Sequence, residues 1–584
     1  MKIRKFTIAA VAVLALAACS TLKDGEYNMA VVATGDGHGA WFAKPVEEGG
    51  KSRCSLMSQS RFVEGVRADK GRDNVILVDV GDNFSGGGAP FYYNYVDTAS
   101  VHLYPRLAAY MGYDAVVAGH SDFETGHRVY DRVARDMRKA GVPFLAGNAV
   151  SERTGKRYFP AYSIIRKGGM KVAVLGYTNA ANASLMDDSC ISGISFKSLL
   201  PLVQEDVDKV RSKENPHIVI VVAHTSMGKG NGMNLEKQGL DLFNNLKGVD
   251  VLVTGHDHYN EVQKTDSIVV MDCGKAGQYA GLADIKLVVK GGKVISRTLS
   301  AEVKSLMVDD YDTAMEETFK SEYEKVREFN VSHVGDIRKD LVSREFYYRQ
   351  CDYMNFLHTL AFSAWPVDIS LSATLLIDGK VPAGEVRFQD IRKIYPYGNK
   401  LIVLRLTGAE ILRYLEASYE AWINTVPEPA EGAHLLKIKQ TKDYSTGGMK
   451  WKLAKSPANF DSAAGICYTV DVTKPYGSRV TISCMADGSP FAMDKDYSVA
   501  VTSYRSDGAG GLLKAAGLMD AQSVADRIIY RGPEFRTILY RYLKKYGSID
   551  PAVVGDPDVI GSWKFIPDFA PEAIKSDVEL LYGK

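Results

Sequence analysis

Imidazole and carboxylate side chains recur at the ends of apolar segments in the first 260 residues of the chain. The members of this set are Asp36, His38, Asp82, His120, His224, His256 and His258. Carboxylate oxygens bridge cations well, and imidazole nitrogens bind zinc, manganese or iron. Any one of these residues alone is more often a structural side chain than a ligand. Their recurrence at five successive segment ends indicates a shared metal site.

The apolar segments themselves have the length and composition of buried β-strands. They cover residues 29–34, 75–80, 111–118, 218–223 and 251–254. Valine, isoleucine and alanine dominate them, and glycine follows several of them, which favours strands over helices. In open α/β folds, ligands bind outside the carboxyl ends of the strands. The strand prediction therefore brings the polar side chains to one edge.

The order and spacing of these groups resemble the calcineurin-like metallophosphoesterases, and more closely the bacterial 5′-nucleotidases and 2′,3′-cyclic-nucleotide phosphodiesterases. The matching motifs are Asp36-x-His38, Gly81-Asp82, Gly119-His120-Ser121-Asp122, His224 and Gly255-His256-x-His258. The resemblance implies a mixed α/β fold, a four-layer α/β/β/α sandwich, with two divalent metal ions (Zn, Mn or Fe). It also implies hydrolysis of nucleotides by a hydroxide held between the two ions.

The same resemblance distributes the ligands over the two ions. The first ion would be held by Asp36, His38 and His258. The second ion would be held by His224 and His256, and Asp82 would bridge the pair. His120 stands where the family has an asparagine ligand, and an imidazole is a competent replacement.

One motif departs from the family pattern at its catalytic position, because Ser121 stands where the family has a histidine. A serine hydroxyl donates a hydrogen bond but carries no positive charge, and general acid–base help is worth roughly 10²–10⁴-fold. The candidate catalytic residues are His120, Ser121 and Asp122. Three outcomes stay open: altered chemistry in which His120 takes the missing role, normal turnover of a substrate with a good leaving group, or a degenerate binding protein.

The first 28 residues have the pattern of an export and anchoring segment. Basic residues precede an apolar core at residues 8–16, which is too short to span a bilayer. Residues 16–19, Leu-Ala-Ala-Cys, resemble a bacterial lipobox. This implies a signal peptide over 1–18, lipidation at Cys19 and a tether over 19–28. We expect a lipid anchor in a bacterial membrane, the outer membrane by preference, facing the periplasm or the cell surface. A plain secretory signal is the alternative.

Length and composition indicate a folded protein of two or more domains. The chain has 584 residues, of which 46% are apolar and 24% charged, and one core rarely serves so long a chain. A net charge of +1 gives no support for a nucleic-acid polymer as partner. The cysteines beyond Cys19 lack metal-site spacing, so we assign them no role. We expect a monomer.

Changes of pattern along the chain predict the domain boundaries. The phosphoesterase-like domain is predicted over 29–308, a linker of charged, helix-forming sequence over 309–345, and a second domain over 346–584. In the second domain, Thr407 and Glu410 have the spacing of a capping box at the start of a helix. The second domain resembles the C-terminal nucleotidase domain that accompanies these phosphoesterases.

Two tyrosines of the second domain are candidates for holding a nucleotide base. By the resemblance, Tyr397 in a Pro-Tyr-Gly-Asn turn and Tyr504 before a glycine-rich loop would stack on the base, a contact worth ~1–3 kcal/mol in nucleic-acid systems. Asn399 and Arg505 complete the predicted substrate site, with Arg505 as an anion partner. The Gly-Gly-x-x-Arg motif of 5′-nucleotidases is missing, which predicts an altered specificity.

Together these features predict an exported, lipid-anchored metallophosphoesterase that acts on 5′-nucleotides or 2′,3′-cyclic nucleotides. Because of Ser121, a catalytically impaired surface lipoprotein that captures nucleotides or another ligand is the alternative. A phosphoesterase with non-nucleotide substrates is the third hypothesis.

Overall fold

The computed structural model describes residues 22–232, 234–428, 432–443 and 447–583. The predicted signal peptide and the lipidation site Cys19 lie outside the described residues. Within the described ranges, no helix has both the length and the apolar content needed to cross a membrane.

The N-terminal domain is built on two six-stranded sheets. Its strands are β1 (Gly25–Thr34), β2 (Val75–Asp79), β3 (Ala115–Val117), β4 (Phe144–Leu145), β5 (Ala149–Ser151), β6 (Tyr162–Lys167), β7 (Met170–Tyr177), β8 (Ile194–Phe196), β9 (Ile218–Ala223), β10 (Val251–Thr254), β11 (Asn260–Lys264), β12 (Val269–Cys273), β13 (Tyr279–Lys290) and β14 (Lys293–Ser305). The first sheet has the order β14-β13-β1-β2-β3-β4, and the second has the order β11-β12-β10-β9-β7-β6. Strands β1, β2 and β3 are parallel, as are β7, β9 and β10.

Helices cover the outer faces of both sheets. They are α1 (Leu56–Lys70), α2 (Gly88–Phe91), α3 (Leu103–Met111), α4 (His120–Phe123), α5 (His127–Lys139), α6 (Asn182–Leu185), α7 (Leu199–Glu214) and α8 (Gly239–Asn245). Apolar residues of α1, α3 and α5 form one core with the first sheet, and residues of α7 and α8 form another with the second sheet. A third core fills the space between the sheets. This confirms the predicted mixed α/β fold and its four layers.

Two predicted segments differ from the structure in their bounds. Strand β1 begins at Gly25, because residues predicted as tether pair with β13, as in Gly25 with Val289. The segment predicted as a strand from residue 111 contains a helix end instead. Gly112 has φ 68° and ends α3, so β3 begins only at Ala115. A glycine at this position is a common helix stop.

The connecting segment is helical over part of its predicted length. It contains α9 (Thr313–Thr318) and α10 (Lys320–Asn330). Residues 333–337 then form β15, which pairs with strands of the C-terminal domain. The C-terminal sheet structure therefore begins inside the predicted linker. The charged pattern after residue 330 did not predict this strand, because it does not show which distant segments the backbone pairs with.

The C-terminal domain has one continuous core. Its strands are β15 (His333–Ile337), β16 (Leu341–Val342), β17 (Ile369–Ala373), β18 (Lys380–Val381), β19 (Gly384–Arg387), β20 (Lys400–Thr407), β21 (Ile438–Lys442), β22 (Met449–Leu453), β23 (Asp461–Ala464), β24 (Ile466–Asp471), β25 (Val480–Met485), β26 (Asp496–Thr502), β27 (Ile528–Glu534), β28 (Ser548–Ile549) and β29 (Gly561–Ile566). The largest sheet has the order β23-β17-β26-β20-β27.

Helices pack around these sheets. They are α11 (Asp352–Ala364), α12 (Ile391–Ile394), α13 (Gly408–Trp422), α14 (Ser503–Ser506), α15 (Leu512–Ala516), α16 (Ala521–Ala525), α17 (Phe535–Tyr546), α18 (Pro551–Val554), α19 (Pro557–Ile560) and α20 (Phe569–Tyr582). The predicted capping box is confirmed at the start of α13, where Thr407 Oγ1 accepts from Glu410 N and Glu410 Oε2 accepts from Thr407 N.

Candidate metal centre

The seven predicted ligands meet where the carboxyl ends of five strands from both sheets converge. The turn after β1 carries Asp36 and His38, the turn after β2 carries Asp82, and α4 after β3 begins with His120. In the second sheet, His224 follows β9. The turn after β10 carries His256 and His258. The site therefore lies where the two inner sheets meet, so that side chains from both sheets can reach the same metal ion.

The backbone is strained at most of these ligands. Among the described residues, seven that are not glycine have positive φ, and five of them are predicted ligands. These are Asp36 (47°), His38 (43°), Asp82 (60°), His256 (86°) and His258 (64°). Such conformations cost on the order of 1–3 kcal/mol each and cluster at functional sites. The turns are therefore shaped to point side chains inward at the expense of local backbone energy.

A first ligand cluster consists of Asp36, His38 and His258. The Nε2 atoms of the two imidazoles lie 2.9 Å apart. Asp36 Oδ1 lies 3.9 Å from His38 Nε2 and 3.8 Å from His258 Nε2. Three ligand atoms thus face one small volume at the end of β1 and β10.

A second ligand cluster consists of His120, His224 and His256. His120 Nδ1 lies 3.1 Å from His224 Nε2 and 3.2 Å from His256 Nδ1. Asp82 Oδ2 lies 2.9 Å from His120 Nδ1 and 3.4 Å from His224 Nε2. The same oxygen is 3.9 Å from His38 Nε2 in the first cluster. Asp82 therefore stands between the two clusters.

The residues present fit divalent metal ions. Asp82 Oδ2 is buried and makes no hydrogen bond of acceptable geometry, although imidazole nitrogens surround it. His224 Nδ1 contacts the carbonyl of Val80 at 3.0 Å, so an N–H at that atom leaves the Nε2 lone pair for the site. Pairs of ring nitrogens that converge on a buried carboxylate are the donor set that zinc, manganese or iron takes.

The two carboxylates of the centre differ in electrostatic environment. Burial and the neighbouring charge of Asp82 raise the pKa of Asp36 well above its usual value. Burial also acts on Asp82, but the charges of His120 and His224 outweigh it and hold its pKa well below the usual value. The Asp82 carboxylate is therefore ionised, as a metal ligand must be.

Two family models match this chain. Residues 29–260 match the calcineurin-like phosphoesterase model, and residues 330–517 match the model of the 5′-nucleotidase C-terminal domain. The chain therefore contains a calcineurin-like phosphoesterase domain over residues 29–260 and a 5′-nucleotidase C-terminal domain over residues 330–517. Both families consist of hydrolases, and the first implies divalent metal cofactors.

Curated relatives of this phosphoesterase carry nucleotide-directed names. A 5′-nucleotidase of Vibrio vulnificus is 23% identical over 88% of this chain and 92% of the relative. A 2′,3′-cyclic-nucleotide 2′-phosphodiesterase/3′-nucleotidase of Salmonella typhimurium is 21% identical over 87% of this chain and 84% of the relative. The trifunctional nucleotide phosphoesterase protein YfkN of Bacillus subtilis is 23% identical over 82% of this chain, which spans only 35% of that relative.

Solved structures share the fold. The NAD nucleotidase of Haemophilus influenzae superposes with a TM-score of 0.59 at 14% identity, covering 92% of this chain and 99% of that one. A 5′-nucleotidase precursor from Thermus thermophilus superposes with a TM-score of 0.50 at 18% identity, covering 93% of this chain and 100% of that one.

Asp122, predicted as catalytic, lies below the centre of this phosphoesterase rather than in it. The side chain is fully buried. Its Oδ2 accepts from Asp82 N and Gly119 N, and its Oδ1 accepts from Asn83 N and Phe84 N, at 2.9–3.1 Å. With four backbone donors on one carboxylate, Asp122 fixes the turn that carries Asp82. This placement supports a positioning role and not direct contact with substrate.

Ser121 lies beside the centre. Its backbone N–H donates to Asp82 Oδ1 at 2.9 Å, and its hydroxyl lies 2.8 Å from Ser85 Oγ. His120 points into the ligand cluster, where it occupies the position predicted from the family asparagine. The hydroxyl of Ser121 opens onto a cavity of about 460 Å³ between the two domains.

Glu236 is a neighbour of the centre that the sequence did not reveal. Its Oε1 lies 2.9 Å from His256 Nε2, so it can orient that ring with Nδ1 toward the ligands. Glu236 lies in the irregular loop between β9 and α8. No spacing rule applies to such a loop, and a lone glutamate there gives no signal by itself.

The predicted substrate residues are only partly available to a ligand. Tyr397 and Tyr504 are 53% and 42% exposed, as a base-stacking role requires. Asn399 is half-buried in the turn before β20, and its carbonyl accepts from Phe535 N. The structure places the two tyrosines in segments joined by a hydrogen bond from Lys400 N to Ser503 Oγ.

Arg505 is not an available anion partner. Its side chain is buried, and all of its N–H groups have acceptors within the C-terminal domain. Nε and Nη2 donate to the carboxylate of Asp461, and the remaining donors meet Ala458 O, Asn459 Oδ1 and Ala509 O. Arg505 therefore holds the loop that presents Tyr504. The sequence pattern predicted a ligand contact because it does not show a buried aspartate from another strand.

Proposed function

We propose that this protein hydrolyses phosphate esters of nucleotides and that two divalent metal ions serve the reaction. The observation that carries the proposal is the position of Asp82, whose free carboxylate oxygen faces both ligand clusters. One ion would be held by Asp36, His38 and His258. The other would be held by His120, His224 and His256, with Asp82 shared between the two.

The protein residues divide the remaining work. When bound, the divalent metal ions would polarise the phosphoryl group and activate water. Asp82 is held in place by two hydrogen bonds. The N–H of Ser121 donates to its side-chain oxygen, and its own backbone N–H donates to the carboxylate of Asp122. Glu236 orients His256. The Ser121 hydroxyl, at the cavity side of the centre, is placed to donate a hydrogen bond to the substrate.

Nucleotides are the proposed substrates because two features agree. The C-terminal domain presents two exposed tyrosines, Tyr397 and Tyr504, from adjoining segments, and every nucleotide base offers a π-face for stacking. The curated relatives include 5′-nucleotidases and cyclic-nucleotide phosphodiesterases. We propose 5′-nucleotides and 2′,3′-cyclic nucleotides as the classes to test first.

Metal analysis combined with turnover assays tests this function. The purified chain should retain a divalent metal and release product from adenosine 5′-monophosphate or adenosine 2′,3′-cyclic monophosphate. Asp82→Asn should lower turnover by 10³-fold or more, on the order of the loss of a principal charge-stabilising group, and should also lower metal content. Asp266→Asn, on an exposed turn away from the centre, is the matched control. Full turnover by Asp82→Asn would contradict the proposal.

A test of the base site uses Tyr397→Ala and Tyr504→Ala. Each substitution should raise KM for nucleotides by roughly 5- to 100-fold, the equivalent of one base stack, without a matching effect on a phosphoester that has no base. Equal activity of the variants and the parent on nucleotides would favour non-nucleotide substrates.

We further propose export, lipid attachment at Cys19 and a monomeric state. The support is the basic and apolar pattern that ends in Leu-Ala-Ala-Cys. Metabolic labelling with a fatty acid should modify the parent and not Cys19→Ser, and membrane fractionation should show where the protein lies. Light scattering of the purified protein should give the mass of one chain, which is 64.0 kDa for the full sequence and smaller once the signal peptide is removed.

Ser121 supports a second candidate function, capture of nucleotides without turnover. The family uses a histidine at this position, and a hydroxyl cannot supply its charge. Retained metal, nucleotide binding and no turnover of any phosphoester, with no gain from Ser121→His, would establish this binding function instead.

A further inference from the structure

The centre lacks a positive side chain on its cavity side among its own residues. Ser121 opens onto the interdomain cavity as a neutral hydroxyl, hydrogen-bonded to Ser85. A transferred phosphoryl group carries negative charge that is spread over its oxygens in the transition state, and positioned cations near those oxygens stabilise it. Four basic side chains of the C-terminal domain line this cavity, namely Arg392, Lys400, Arg536 and Arg541. Of these, Lys400 forms an ion pair with Glu124, which lies three positions after Ser121.

Lys400 of the C-terminal domain reaches this cavity from the opposite wall. It is the first residue of β20, three positions after Tyr397, and it lines the same cavity as Ser121. Its Nζ donates to Glu124 Oε1 and, at 3.0 Å, to the carbonyl of Leu185. Both acceptors belong to the N-terminal domain, so this lysine crosses the domain boundary.

Glu124 holds the Lys400 ammonium on the side of Ser121. It follows α4 directly, three residues after Ser121, and also lines the cavity. The Lys400 side chain is 25% exposed, and its Nζ has two protein acceptors. An ammonium has three N–H donors. Two acceptors leave one donor of Lys400 without a protein acceptor, and Lys400 lines the cavity.

The cavity connects the Lys400–Glu124 ion pair to the metal centre through Ser121. Ser121 lines the cavity together with Glu124 and Lys400, and its backbone N–H donates to Asp82 Oδ1 at 2.9 Å.

We propose that Lys400 supplies the positive charge that Ser121 lacks, by contacting a phosphoryl oxygen of the bound substrate from the C-terminal domain. The inference rests on the proposed phosphoesterase function. It also ties chemistry to domain arrangement, because Lys400 shares the cavity with Ser121 only while the C-terminal domain sits against Glu124. The same segment carries the base-stacking Tyr397, so one turn would position both ends of a nucleotide.

The competing interpretation is that the Lys400–Glu124 ion pair only holds the two domains together. Such an ion pair is lost equally when either partner is neutralised. A cation at the reacting group loses more when the lysine is removed, because Glu124→Gln leaves the ammonium and its contact with Leu185 in place. Lys400→Met, Lys400→Arg, Glu124→Gln and the control Lys393→Met therefore separate the two. Lys393 is an exposed lysine of the same domain, paired with Asp390 outside the cavity.

We expect Lys400→Met to lower kcat by roughly 10²-fold, as the removal of one charge-stabilising donor does. Lys400→Arg should retain most of the activity, Glu124→Gln should lose less than Lys400→Met, and Lys393→Met should match the parent. Ser121→His in the Lys400→Met background should restore about ten-fold of the loss, because it returns a chargeable group to the same cavity wall. Equal losses in Lys400→Met and Glu124→Gln, or no rescue by Ser121→His, would overturn the proposal.

Binding measurements keep this inference separable from the proposed function. Calorimetric titration of adenosine 5′-monophosphate into the metal-loaded and the metal-stripped chain gives an affinity that needs no turnover. Lys400→Met should weaken binding by at least five-fold at low salt in both forms, and Lys400→Arg should not. If the parent binds but hydrolyses nothing, the phosphoesterase proposal fails while this loss still supports Lys400 as the phosphate contact. An affinity that is the same in the parent and in Lys400→Met would exclude that contact.

Discussion

At the scale of single residues, the candidate metal ligands were the most predictable part of this molecule. The side chains that hold the ligand-bearing and substrate-facing loops in place were the least predictable. Asp82 could be predicted because a strand pattern ends next to it, and strand ends converge in this fold class. Asp122 was predicted as a catalytic residue and Arg505 as an anion partner, and in the structure both side chains hold loops. Their partners are backbone N–H groups and a buried carboxylate from distant segments, and a single sequence does not show such long-range contacts.

The Asp122 carboxylate is expected to stabilise the ligand-bearing turn. Asp122→Asn replaces one acceptor oxygen with an amide that faces backbone donors, so at least one hydrogen bond to a charged group is lost. Each such bond contributes about 1.5–3 kcal/mol. We expect the free energy of unfolding of the N-terminal domain to fall by about 2–4 kcal/mol, with weaker metal retention, in urea titrations and metal analysis. Asp69→Asn, an exposed position on α1, is the control. An unchanged unfolding curve for Asp122→Asn would contradict this role.

His358 in α11 should make the C-terminal domain sensitive to acid. It is buried between Ser370 Oγ (2.9 Å) and Ser462 Oγ (3.3 Å), and burial lowers its pKa to about 3. Unfolded histidine titrates near 6.5. Below about pH 6.5 the unfolded chain therefore binds a proton that the folded chain does not bind. The free energy of unfolding falls with decreasing pH until about pH 3, by up to about 1.4 kcal/mol per pH unit.

The difference between His358→Gln and the parent measures this effect. Between pH 7 and pH 5 the parent should lose about 1–2 kcal/mol more unfolding free energy than His358→Gln, as judged by urea titration at each pH. His333→Gln, at a histidine with 52% side-chain exposure, should follow the parent. Parallel pH profiles for the parent and His358→Gln would show that His358 is not the acid-sensitive group.

At the scale of elements, short continuous apolar runs predicted the parallel strands of the inner layers well, because these strands are apolar on both faces. Strand β9, which is fully buried, is an example. Short strands and helix ends were less predictable. Gly112 ends α3 inside a run that looks like strand, and β15 emerges from a charged stretch that pairs with β19 and β28. The bounds of these elements depend on pairing with segments far along the chain, and the local sequence pattern does not show such pairing.

The N-terminal cap of α13 is expected to contribute to the stability of the C-terminal domain. Thr407→Ala removes the side-chain acceptor of Glu410 N at the start of the helix. Such a loss costs about 1 kcal/mol, with a range of about 0.5–2 kcal/mol. Differential scanning calorimetry should show a lower Tm for the C-terminal transition, and Thr407→Ser should restore it. A Tm for Thr407→Ala equal to that of the parent would mean that the cap does not limit the stability of this domain.

At the scale of the whole molecule, the two domains and the connecting helix share an aromatic cluster that no sequence pattern indicated. Phe91 of α2, Phe329 of α10, and Phe388 and Tyr540 of the C-terminal domain form it. Phe388 has ring centroids at 4.3 Å from Phe329, 4.8 Å from Phe91 and 5.6 Å from Tyr540. Nearby, Arg387 pairs with Glu48 across the same boundary. This junction borders the cavity that Lys400 and Ser121 share.

Phe388 should therefore control how the two domains sit on each other. Phe388→Ala removes a ring that contacts all three other members, and loss of a large aromatic side chain at a packed site costs up to about 3–5 kcal/mol. Because Phe388 is half-buried at the domain boundary, most of that cost should fall on the domain arrangement and little on either core. We expect a larger radius of gyration in small-angle scattering and faster hydrogen exchange at α2 and α10. Phe491→Ala is the matched control, because that ring packs on Tyr497 inside the C-terminal domain. If the two variants scatter alike, the cluster does not set the domain arrangement. If Phe388→Ala alone expands and also loses nucleotide turnover, the reaction requires the arrangement that places Lys400 in the cavity beside Ser121.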